Sequence, residues 1–146
     1  MAGASSANPR WKRVVLKLSG EALAEPSGFG LDSDVLHQIA TELHETRRDL
    51  NVDIAVVVGG GNFWRGLKGA GQGMDQAQAD YMGMIATVMN ALALQDAFER
   101  VGQFSRVMTA VENGTQWVQT ANGGATLLAW NQFEDGGDIT LTFDKQ

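Results

Sequence analysis

Two short β-branched runs, RVVLKL at 13–18 and VDIAVVV at 52–58, flank a segment of helical period, and this order constrains the fold more than any other feature. Between them, LDSDVLHQIATELHETRRDL places Val35, Leu36, Ile39, Ala40 and Leu43 on one face and Glu42, Glu45, Arg47 and Arg48 on the other. Asp32 or Ser33 can cap its start by accepting from the orphan N–H groups of the first turn. A second helical segment runs from about Asp75 to Arg100, with Met82, Ile85, Val88, Met89 and Leu92 as its apolar stripe, and SRVMTAV at 105–111 reads as a third strand. Strands alternating with helices predict an α/β fold, a parallel sheet with helices on both faces, in which 13–18 and 52–58 are buried strands.

The 146 residues suit a single core. Hydrophobic residues make up 44% and charged residues 19%, as in globular proteins. Residues 1–10 are small and polar, lack an apolar signal core and read as a flexible leader. No stretch is long enough to span a bilayer. Cysteine is absent, which excludes disulfides and thiolate metal sites and makes the cytoplasm the expected compartment. A formal net charge of -6 lacks the basic footprint of a nucleic-acid binder, so an anionic ligand must be held by local groups. His37 and His44, beside Glu42 and Glu45, read as a solvated helix face rather than a metal site.

From Glu112 onward the helical period is lost. TQWVQT, ATLLAW and ITLTF read as short strands, with NGG and EDGGD as hairpin turns between them. Residues 112–146 are thus expected to form a β-meander packed through Trp117 and Trp130, which with Phe133 could cover an apolar face of the α/β unit at 11–111.

Three groups of residues could carry chemistry. Lys17 stands near the end of an apolar strand, followed by Ser19 and Gly20. It either snorkels to solvent or aims its ammonium at phosphate oxygens, with Ser19 and backbone N–H groups beside it. Gly59, Gly60 and Gly61 follow the second strand, with Asn62 and Arg65 close behind. They serve either a tight turn at positive φ or an anion-binding concavity of N–H groups, onto which Arg65 could fork. Asp80 either accepts from a ribose hydroxyl or is a solvated helix residue. Gly83, inside a helical stripe, costs about 1 kcal/mol against alanine, which close packing on the loop or a ligand would explain. Both glycine loops follow strands, so both should open at the carboxyl edge of one sheet, where α/β folds bind ligands.

RVVLKLSGEAL, GFGLD, VVVGGGNFWRG and DYMGMIATVMNALALQDAFE, in this order, resemble the bacterial uridylate (UMP) kinases of the amino acid kinase fold family. The resemblance runs from about Trp11 to Val111, and the DYMGM stretch is its most specific part. It implies transfer of a phosphoryl group from Mg-ATP to UMP, giving UDP in pyrimidine nucleotide biosynthesis. It also implies ATP and Mg2+ as cofactors and a cytoplasmic homohexamer, often activated by GTP. By the same resemblance Lys17, Leu18, Ser19 and Gly20 form the ATP-phosphate loop, with Lys17 the catalytic charge. Gly60 and Asp80 hold UMP, Gly61 and Arg65 contact ATP, and Glu25 to Gly30 belongs to a segment tied to GTP activation.

Family members are longer. The Thr/Asp-containing loop that completes their UMP site and the half that holds adenine and ribose have no match in residues 112–146. A catalytically incomplete nucleotide-binding fragment of a UMP kinase is therefore the alternative to an active enzyme.

Overall fold

The computed structural model of the chain describes residues 9–24, 26, 28–64, 73–109 and 125–129. Four strands, β1 (Arg13–Leu18), β2 (Asp53–Val58), β3 (Ser105–Thr109) and β4 (Ala125–Ala129), form one sheet in the order β1-β2-β4-β3. Every neighbouring pair is parallel. Two helices connect them, α1 (Ser33–Leu50) between β1 and β2, and α2 (Gln76–Arg100) between β2 and β3. A short 3-10 turn, Gly20–Leu23, follows β1.

Local signals set the helix limits. Asp32 caps α1, its Oδ1 accepting from Asp34 N at 2.8 Å and Val35 N at 3.0 Å. Asn51, with φ 50, closes the helix in the left-handed conformation that asparagine tolerates. Asp75 caps α2 by accepting from Gln78 N. The expected apolar face of α1 is the packed one: Leu36 and Ala40 are buried, with Ile39 and Leu43 against the same core.

Both helices lie on one face of the sheet among the described residues, not on both. The strand order explains this. From β1 to β2, and from β2 to β3, the chain moves in the same direction across the sheet, so two right-handed crossovers place their helices on the same side. One core cluster accordingly joins Leu36 and Ala40 of α1 with Ala91, Leu94, Ala97 and Phe98 of α2 and with Ile54, Val56 and Val58 of β2. Val14, Leu16 and Leu18, in register with those β2 residues, pack on it too. The opposite face of β1 carries Arg13, Val15 and Lys17, all exposed. Among the described residues β1 is the edge strand of the sheet, and it is half buried rather than buried, whereas β2 fits the expectation of burial. Arg13 Nε pairs with its register partner Asp53 at 3.2 Å, an exposed ion pair worth little by itself.

The expected apolar stripe of α2 is corrected. Met82, Ile85, Met89 and Leu92 are 40 to 52% exposed, and only Val88 of that set packs on the core. The buried face is Ala79, Ala86, Thr87, Asn90, Ala91, Leu94, Ala97 and Phe98. α2 is apolar on both faces: beside Gly60 it turns the small Ala86 and Thr87 inward, which lets the helix approach the chain after β2, and farther along Leu94 and Phe98 fill the core.

β4 is also a departure. It lies between β2 and β3 and runs parallel to both, so it is no hairpin strand: both of its edges are already paired. TQWVQT, ITLTF, Trp117, Trp130 and Phe133 lie outside the described residues, as does most of the expected leader. Among the described residues no helix is long and apolar enough to cross a membrane.

Candidate functional site

The register sets all four strand ends level. Leu18 pairs with Val58, Val58 with Ala129, and Ala129 with Thr109. The chain leaves β1 and β2 at this one carboxyl edge, and Gly59 N donates to Leu18 O at 3.0 Å where they part. Both glycine loops therefore open on the same edge, as expected.

The loops touch. A Cβ on Gly20 would stand 2.6 Å from Gly59 O, 2.6 Å from Asn62 Oδ1 and 2.8 Å from Gly61 N, distances no side chain tolerates. A Cβ on Gly60 would meet Ala86 Cβ at 2.8 Å, Gly83 O at 2.9 Å and Thr87 N at 3.0 Å. Neither Gly59 nor Gly60 has a positive φ; among the described residues the left-handed glycines are Gly28, Gly30, Gly73 and Gly102. A turn needing positive φ is thus not what these glycines serve. Gly20 lets the first loop lie on the second, and Gly60 lets the second lie on α2. Gly83 is not explained by this packing: its carbonyl lies near Gly60, yet a Cβ on Gly83 itself would meet only Trp64, at the ordinary contact distance of 4.0 Å.

Sequence reasoning gave no role to the side chains that hold this arrangement. Asn62 and Asn90 are 1% and 0% exposed. Asn90 Nδ2 donates to Gly59 O at 2.6 Å and to Asn62 Oδ1 at 2.7 Å. Asn62 Nδ2 donates to Gly30 O at 2.7 Å and to Asn90 Oδ1 at 3.0 Å. Gly30 N donates back to the Asn62 carbonyl at 3.0 Å. Trp64 Nε1 donates to Ala79 O at 2.8 Å, and Phe29 meets Phe63 edge to face with ring centroids 6.1 Å apart. The signal was present in Asn90, an amide inside an otherwise apolar run of α2.

Lys17 is exposed, one residue from the end of β1 and on the face away from the helices. Among the described residues nothing pairs with its ammonium. Leu18 turns to the core and Ser19 is exposed beside it. Asp80 is exposed one helical turn before Gly83, and Gln76 Nε2 donates to it at 2.8 Å. Arg65, Glu25 and Ser27 lie outside the described residues. His37 is exposed, but His44 is half buried, with Nδ1 3.2 Å from Gln103 Oε1, so only His37 fits a solvated face. Among the described residues no group of three or more His, Cys, Asp or Glu could hold a metal ion.

Residues 12–135 match the amino acid kinase family. The match extends past Val111 and takes in β4. A uridylate kinase from Limosilactobacillus reuteri (strain DSM 20016) is 59% identical over 106 residues, which cover 73% of this chain and 44% of that protein. The crystal structure of UMP kinase from Bacillus anthracis superposes with a TM-score of 0.69 at 31% identity, covering 80% of this chain and 52% of that one. For UMP kinase from Ureaplasma parvum the TM-score is 0.68 at 26% identity, covering 82% of this chain and 56% of that one. The chain thus spans about half the length of the relatives it matches.

Proposed function

Because the chain belongs to the amino acid kinase family, we propose that it is a UMP kinase, moving a phosphoryl group from Mg-ATP to UMP to give UDP in pyrimidine nucleotide biosynthesis. The observation that carries this reading is the packing of Gly20 on Gly59 and Gly61 at a level carboxyl edge. Two stretches of chain without side chains meet where a parallel sheet offers its strand ends, which suits the close approach of phosphates to backbone N–H groups.

In this reading Gly60 and Asp80 hold UMP. Lys17, Leu18, Ser19 and Gly20, with Gly61 and Arg65, hold the phosphates of ATP. Phosphoryl transfer asks for in-line placement and for neutralisation of spreading negative charge, and little covalent chemistry. The Lys17 ammonium, free of any partner among the described residues, supplies a point charge. Its strand position is one residue, about 3.3 Å, short of the edge, and its four-carbon stem carries it forward. Mg2+ fits as an ion carried on the nucleotide phosphates, the usual habit of this cation, since the described residues build no acidic cage for it.

Assembly and regulation follow the same reading: a cytoplasmic homo-oligomer, a hexamer in the family, with GTP acting near Glu25 to Gly30. The exposed stripe of α2 supports self-association. Ile85 and Met89, Met82 and Leu92, and Gln78 and Asp96 are each equidistant from Thr87. An antiparallel copy crossing at Thr87 would set apolar on apolar and polar on polar, as a two-fold interface requires.

The share of the relatives that this chain covers favours a second reading, a nucleotide-binding half without turnover. Coupled ADP release with UMP and Mg-ATP, beside calorimetry with UMP, separates the two. Turnover supports the kinase. UMP binding without turnover supports the binding half. The absence of both rejects a UMP site on this chain.

A further inference from the structure

We infer that Asn90 is a positioning residue for the glycine loop, setting the peptides on which a phosphate would rest without touching the ligand. This rests on the proposed nucleotide site and adds to it a residue on the far side of the loop.

Three successive glycines cannot hold their own conformation, because each backbone has wide torsional freedom. Their geometry must be imposed from outside. Gly60 packs against α2, and its carbonyl accepts from Phe63 N at 3.0 Å and Trp64 N at 3.1 Å within the loop. The Gly59 carbonyl is held by a directed bond, from Asn90 Nδ2 at 2.6 Å. A trans peptide is planar, with C=O and N–H opposed. Fixing the Gly59 carbonyl toward Asn90 therefore turns the Gly60 N–H away from it and fixes its direction.

The second Asn90 N–H goes to Asn62 Oδ1, and Asn90 Oδ1 accepts from Asn62 Nδ2. The remaining Asn62 N–H goes to Gly30 O. All four amide N–H bonds of the pair are used, and both side-chain carbonyls accept. A closed, buried network of this kind specifies one arrangement, where an apolar pair would fill the volume and leave the carbonyl free to turn. The network also spans three elements: α2, the loop after β2, and the segment ending at Gly30.

The test compares wild type with Asn90→Leu, which keeps the size but donates nothing, and Asn90→Asp, which faces Gly59 O and Asn62 Oδ1 with acceptors. Near-UV circular dichroism establishes folding. Calorimetry reads UMP affinity. Amide hydrogen exchange reads the Phe63 and Trp64 N–H groups, both bonded to Gly60 O. A positioning role predicts UMP affinity lower by roughly ten- to a hundredfold in whichever variant folds. It also predicts faster exchange at Phe63 and Trp64, with α1 amides unchanged. Wild-type affinity and unchanged exchange in a folded variant would overturn it. So would uniform loss of protection, or unfolding of both variants, since either makes the pair a folding element only. If wild type itself binds no UMP, the proposed function fails, and selective exchange at Phe63 and Trp64 still decides the role of Asn90.

Discussion

A methyl group on Gly60 would stand 2.8 Å from the Cβ of Ala86, closer than two carbons can approach. The loop after β2 is therefore seated on α2 at the limit of contact. Gly60→Ala should destabilise the fold by about 1–3 kcal/mol, the usual cost of overpacking, read as a lower urea midpoint. An unchanged midpoint would show that the loop is not seated there. Gly60→Val, which would otherwise serve as a clean test of phosphate contact, adds still more bulk against backbone atoms of Gly83 and Thr87. Its loss of binding would report packing as well as contact.

Asp32→Ala removes an acceptor used by both Asp34 N and Val35 N. The expected loss is about 1 kcal/mol, visible in thermal unfolding. Asp32→Asn keeps the oxygen and should recover most of it. Equal losses in both variants would point to charge rather than capping.

Lys17→Met keeps the stem and removes the charge at an exposed position, so the fold should persist. In a turning-over enzyme kcat should drop by roughly two orders of magnitude, as for loss of one preorganised donor, with UMP affinity little changed. Unaltered kcat would leave Lys17 a solvent-facing residue of an edge strand.

Ile85→Asp places a charge in the centre of the exposed α2 stripe, where Ile85 is 43% exposed. Folding should be unaffected and self-association lost, as read by sedimentation over a range of concentrations. A wild-type chain that stays monomeric throughout that range would remove the stripe from consideration as an interface.

What the sequence made legible follows from how local each signal is. The cap of α1, expected at Asp32 or Ser33 and found at Asp32, and the face of α1 with Leu36 and Ala40 are set within a few residues and agree with the structure; Asp75 was expected only as the approximate start of α2 and proves to be its cap. The inward face of α2 is not local. Met82, Ile85, Met89 and Leu92 form an apolar stripe, yet Ala86, Thr87 and Asn90 turn inward beside the loop, with Leu94 and Phe98 in the core farther along, because the seat of Gly60 admits only small side chains there. The single-sided placement of the helices depended on strand order, which no periodicity encodes. For the same reason ATLLAW carried the pattern of a strand but not the identity of its neighbours. In the candidate site, Gly60 was weighed as turn or ligand contact and Gly20 as part of a phosphate loop; the loop-on-helix and loop-on-loop packing that both also serve was not foreseen. Asn90 was passed over because a lone amide in an apolar run signals a buried partner without saying which element supplies it.

The insertion of β4 between β2 and β3 has a consequence for how the chain is made. Among the described residues β3 touches the sheet only through β4, so the strand-to-strand bonds described for Ser105–Thr109 wait for Ala125–Ala129 to emerge from the ribosome. Until then β1 and β2 can zip together over α1, while β3 has no edge to join and β2 offers an open one. Synthesis therefore passes through a stage with an unsatisfied strand edge, the kind of exposure that invites association with other nascent chains. In a chain stopped at Thr109, exchange protection should reach β1 and β2 and be absent from β3.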